Sequence, residues 1–74
     1  MSDIQMIPTP GSSNVDSIGY DEGTQVLRVK FLNGTLYEYR NVPPMEFEQL
    51  RNAPSIGSYL SRNIKGNYPY DRIG

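Results

Sequence analysis

Between Gln25 and Leu32 apolar and polar side chains alternate, with Leu27, Val29 and Phe31 set against Val26, Arg28 and Lys30. A period of two places each set on its own face of a strand and predicts a sheet with one buried face. Val15 to Tyr20 is a second, shorter strand, with Ile18 and Tyr20 on one face. Asp21-Glu22-Gly23-Thr24 between them reads as a turn, with Gly23 offering a positive φ. Asn33-Gly34 then marks a hairpin into a third strand that ends before Val42-Pro43-Pro44.

The register of that hairpin decides which side chains reach the core. A two-residue loop would set Phe31 opposite Leu36 and Val29 opposite Glu38, putting Glu38 and Arg40 among core residues. Tyr37 and Tyr39 would then join Arg28 and Lys30 on an exposed aromatic and basic face, as on single-stranded RNA platforms. A three-residue loop, Leu32-Asn33-Gly34 with Gly34 in the left-handed region, pairs Phe31 with Thr35, Val29 with Tyr37 and Leu27 with Tyr39. Arg28 then faces Glu38, a favourable cross-strand pair. A one-residue slip moves every side chain to the other face. Only the three-residue loop satisfies both faces, so it is the expected one, and Tyr37 and Tyr39 are expected in the core.

After the strands the period lengthens. Pro44 suits a first helical turn, Glu46 and Glu48 suit the dipole at its start, and Phe47, Leu50 and Ala53 recur at helical spacing. Pro54 stops this helix. Ser55 or Ser58 caps a second one running to about Lys65, with Ile56, Tyr59, Leu60 and Ile64 as its apolar stripe and Gly66 as its terminator. Pro69 holds Tyr68 away from helix, so the chain after Asn67 is expected to be an extended tail. Residues 1–12 carry Pro8, Thr9, Pro10 and Gly11 and read as a flexible N-terminal tail, with Ile4, Met6 and Ile7 able to pin part of it. The expectation is an α+β domain over residues 13–74. It consists of a three-stranded antiparallel β-meander followed by two helices packed on one face (β-β-β-α-α) and the C-terminal tail.

Composition narrows the chemistry. In 74 residues there is neither cysteine nor histidine, which removes disulfides, thiolate metal clusters and the commonest general base. Two cores do not normally form below about 100 residues, so one domain is expected. Ser55, Ser58 and Ser61 have no histidine to activate them, and the pairs Asp21 with Glu22 and Glu46 with Glu48 have sufficient structural reasons. No enzyme activity, metal or cofactor is expected. No apolar run approaches the ~20 residues of a membrane span. Six of eight aromatic residues are tyrosine, a ring with a polar tip suited to a shallow core with wet edges or to a binding surface.

The net charge of −1 conceals a gradient. Up to Leu27 there are four acids (Asp3, Asp16, Asp21, Glu22) and no base; from Arg51 onward there are four bases and one acid, Asp71. Arg51, Arg62, Lys65 and Arg72, with Asn67, Tyr68 and Tyr70, form a candidate nucleic-acid surface, cations for phosphates and tyrosines for bases. On this reading Arg62 and Lys65 share one side of the second helix. The competing reading gives Arg62 and Lys65 to the helix dipole and packs Tyr68 and Tyr70 back onto the sheet.

Ser13-Asn14-Val15, Ile18-Gly19-Tyr20-Asp21, Phe31 with Asn33-Gly34, Tyr37-Glu38-Tyr39, Val42-Pro43-Pro44, Ala53-Pro54-Ser55, Gly57-Ser58-Tyr59 and Tyr68-Pro69-Tyr70 together resemble the KTSC domain. The likeness runs from about Ser12 to Ile73, and the central Tyr-x-Tyr is the hallmark of that family. Its members are short stand-alone bacterial and phage-type proteins and an appendage at the C-terminus of some lysyl-tRNA synthetases. The chain is expected to be a small cytoplasmic binding module, monomeric and without membrane contact, and the synthetase association that the resemblance implies points to RNA. It implies no catalytic residue. The alternative expectation is a protein-interaction adaptor whose basic end meets an acidic patch on a larger enzyme.

Overall fold

The computed structural model describes residues 4–74; Met1 to Asp3, part of the expected tail, lie outside the described residues. The chain forms one antiparallel sheet of five strands in sequential order, β1 (Ile7–Pro8), β2 (Val15–Asp21), β3 (Val26–Phe31), β4 (Leu36–Tyr39) and β5 (Tyr70–Arg72). Between β4 and β5 the chain makes α1 (Pro44–Arg51) and α2 (Ile56–Tyr59), the latter continuing as a π-helical segment, Leu60–Ile64. The α+β class and the two helices are as expected. The three-stranded meander is corrected to five strands.

The two added strands are short and border prolines, which gives them no readable alternation. Proline is tolerated in a sheet only at an edge or a strand start, and both added strands are edges. Ile7 pairs with Ile18 and Pro8 with Ser17, so the expected flexible N-terminal segment contributes a strand. Thr9 is buried, donating from its hydroxyl to Val15 O (2.8 Å) and from its amide to Asp16 O (3.0 Å). Gly19 makes room for this segment: a Cβ there would lie 2.6 Å from Ile4 Cγ2 and 2.8 Å from Gln5 O. At the other edge the expected extended tail pairs with β4, Tyr70 opposite Tyr39, Asp71 opposite Glu38 and Arg72 opposite Tyr37.

The central register is the three-residue one. Val29 faces Tyr37, Leu27 faces Tyr39, and Arg28 faces Glu38 with Nε 3.1 Å from Oε2. Phe31 and Thr35 close the loop, Gly34 has φ +93°, and its amide donates to Phe31 O. In the β2–β3 turn the positive φ falls on Gln25 (58°) and not on Gly23. Asp21 Oδ1 accepts the Gly23 amide there, and Gln25 O accepts the Val42 amide, so the strained residue ties the turn to the start of α1. A bulge at Asp16 lets Val15 and Ile18 share the inner face.

On that face Ile18, Leu27, Val29 and Tyr39 meet Val42, Phe47, Leu50, Leu60 and Ile64 in one core. Full burial of such a side chain contributes roughly 1.5–3 kcal/mol. Tyr20 stacks on Phe47 with centroids 4.8 Å apart and donates its hydroxyl to Val42 O. Of the two serines expected as caps, Ser55 caps α2, accepting the Ser58 amide. The π segment was not expected: the Lys65 amide donates five residues back to Leu60 O, which keeps Leu60 and Ile64 both buried.

Candidate nucleic-acid interface

The helices cover only part of the inner face. Phe31 and Tyr37 are partly buried and pack against the core, while Tyr70 on the edge strand is exposed, so the inner face grades from core to surface along a set of aromatic rings. Phe31 at the end of β3 meets the Tyr37 ring edge-on at 5.6 Å. Tyr37 is half-buried and stacks on Tyr70 of β5 at 5.8 Å with planes 15° apart. Tyr70 also leans on buried Tyr39 at 5.5 Å, yet is itself 52% exposed. The result is a row of rings running from β3 to the β5 edge.

Cations border the row. Lys65 Nζ lies 5.7 Å from the centre of the Phe31 ring, within cation–π range. Arg72 is opposite Tyr37 on the same face and donates from Nε to Gly74 O. Opposed residues of neighbouring strands point to one face, so the ring row and Arg72 share a surface. The back of β5 is fastened separately by Arg40 to Asp71 (2.6 Å).

Of the seven residues expected to form the surface, Lys65, Tyr70 and Arg72 come together here. The other four do other work or lie elsewhere. Tyr68 is half-buried and donates to Glu46 Oε2 (3.4 Å), beside Tyr59, which donates to Glu46 Oε1 (2.7 Å). One carboxylate thus joins α1, α2 and the approach to β5. Burial first, then Glu46, pushes the Tyr59 phenol up to about 12 and raises that of Tyr68. Asn67 folds back on the π segment, its side chain donating to Asn63 O (2.8 Å).

Arg62 lines a shallow depression with Ala53, Ser58 and Tyr59. Arg51 pairs loosely with Glu48 (3.6 Å) and lines a groove against β1. β1 is the sheet edge opposite β5. Arg62 and Lys65 do not share a helical side: the π segment ends at Ile64, and Lys65 is extended (ψ 129°) and turns toward Phe31.

Phe31 and Tyr37 are members that sequence reasoning assigned to the core. Their sheet face was read correctly, but not where the helical roof ends. No local signal marks them, because β5, which brings Tyr70 and Arg72 onto their face, is three residues long and carries no period. No helix is long and apolar enough to cross a membrane among the described residues. Nor do three or more acidic side chains gather there into a group that could hold a metal ion.

A five-stranded meander with two helices on one face and a partly open aromatic row defines a small α+β domain. A model of the KTSC domain matches residues 11–68, and the chain belongs to that family. It is similar to a lysine–tRNA ligase of Nostoc punctiforme, 38% identical over 64 residues, which are 86% of this chain and 11% of the ligase. The chain thus spans about a tenth of the length of the ligases it matches. An uncharacterised protein of Stutzerimonas stutzeri is 41% identical over 63 residues, 84% of this chain and 89% of that protein. The crystal structure of a KTSC domain protein from Yersinia pestis superposes with a TM-score of 0.90 at 33% identity, covering 97% of this chain and all of that one.

Proposed function

We propose that this domain is a non-catalytic, cytoplasmic module that binds single-stranded RNA across the open end of its sheet. The observation that carries the reading is the stacked Tyr37–Tyr70 pair, half exposed at Tyr70 and bordered by Lys65 and Arg72. An exposed ring offers its face to an unstacked base of any identity, a contact worth roughly 1–3 kcal/mol. Lys65 and Arg72 meet the adjoining phosphates. The similarity to lysine–tRNA ligases, enzymes whose name declares an RNA substrate, supports RNA as the nucleic acid. With two phosphate contacts the slope of log K against log salt is about −1.4.

An amide NMR titration with a mixed-sequence RNA of about ten nucleotides at low salt tests this, that length lying within known single-strand site sizes. The expected shifts map to Phe31, Tyr37, Lys65, Tyr70 and Arg72. Tyr70→Ala combined with Arg72→Ala weakens binding by about tenfold or more. Shifts confined to the Arg51 edge, or unchanged affinity in the double variant, overturn the surface. A protein captured equally well after nuclease treatment, with no RNA titration, replaces the reading by the adaptor alternative.

A further inference from the structure

The groove beside β1 stands apart from the aromatic row and has its own chemistry. It is a cavity of about 420 Å³ between residues 7–13 and the turn joining α1 to α2. That volume lies within the range of small-molecule sites. Ile7 and Ile56 form apolar walls over the buried Ile18; Ser12, Ser55 and Arg51 contribute polar groups, and among the described residues no carboxylate lines it.

Hydrogen-bond accounting gives the groove a sign. Ser12 Oγ accepts the amides of Asn14 (3.3 Å) and Val15 (3.0 Å). A hydroxyl has two lone pairs and one proton, so Ser12 has both acceptor sites engaged and its proton left to give. Ser55 Oγ likewise accepts the Ser58 amide (3.3 Å). The walls approach each other at Gly57, where a Cβ would lie 3.9 Å from Ser12 Oγ. Among the described residues Arg51 is held only by an exposed contact to Glu48 at 3.6 Å, of the weak surface kind, and its planar fork matches a carboxylate. Donors on both walls, a cation at the rim and apolar surface between them call for an acceptor-rich ligand with a nonpolar part.

From this we infer that the groove binds a small organic anion, a carboxylate on a compact apolar body. The carboxylate accepts from Arg51 and from the hydroxyls of Ser12 and Ser55, and the apolar body lies against Ile7 and Ile56. Neither element belongs to the RNA surface, so the two sites stand or fall separately.

Amide NMR titrations of the full chain with benzoate, benzyl alcohol and inorganic phosphate provide the test. Benzoate is expected to shift residues 7–13 and 53–56 saturably while Tyr37 and Tyr70 stay still. Benzyl alcohol and phosphate each bind about tenfold more weakly or worse, and Arg51→Gln weakens benzoate by about tenfold, the scale of a charge-assisted hydrogen bond. Arg51 is exposed, so this variant keeps its unfolding midpoint. No saturable shift at millimolar benzoate overturns the proposal. Equal binding of the alcohol or of phosphate, or indifference to Arg51→Gln, overturns it as well.

Discussion

Tyr39 and Tyr70 are opposed on neighbouring strands, the same side chain on the same face with centroids 5.5 Å apart. One is fully buried and the other half exposed. Strand geometry treats them alike; what separates them is the reach of the helical layer. Tyr39 is a core residue because the helical layer covers it, and Tyr70 is a surface residue because it stands on the edge strand. A tyrosine on the inner face of a small sheet therefore has no fixed role until its roof is known.

The largest test of that contrast is Tyr39→Ala, which should cost about 3–5 kcal/mol, the usual figure for deleting a large buried ring. Tyr70→Ala should cost less, about 1–2 kcal/mol, because half of that ring stays in water. Denaturant unfolding of both variants measures the difference, and equal losses would break the contrast. Next is Gly19→Ala at the far edge. Its Cβ would collide with Ile4 and the Gln5 carbonyl, so a loss of about 1–3 kcal/mol is expected. Accompanying it should be faster amide exchange at Thr9 while Tyr70 to Arg72 keep their protection.

The smallest effect needs strong alkali. Burial, then neighbouring Tyr37 and Tyr70, pushes the Tyr39 phenol up to about 12 from an ordinary 10, and Tyr59 lies equally high. Between those values the folded protein holds more protons than the unfolded chain, so stability is intact below pH 10 and falls as pH rises toward 12. Phenolate absorbance should show two late tyrosines ionising together with unfolding. Independent ionisation of Tyr39 in a folded protein would contradict its burial.

The strand alternation from Leu27 to Phe31, the three-residue loop at Gly34 and a serine cap at Ser55 or Ser58 were legible in the sequence, because each rests on contacts among near neighbours in the chain. β1 and β5 were not: two and three residues beside prolines carry no period, and their pairing depends on edges built by other segments. The candidate surface was half legible. The basic, tyrosine-rich end was visible, but Arg51 could not be separated from Arg72 before the sheet order put them toward opposite edges.

In the central hairpin the sequence alone says which side chains face inward: period and loop length set the register, and the register sets the faces. It also fixed the lack of cysteine and histidine and the drift from acidic to basic along the chain. Only the tertiary structure decided which inward tyrosines are core and which are surface. That depends on which strand becomes the sheet edge and which rings the helices pack against, a long-range property to which no local pattern responds.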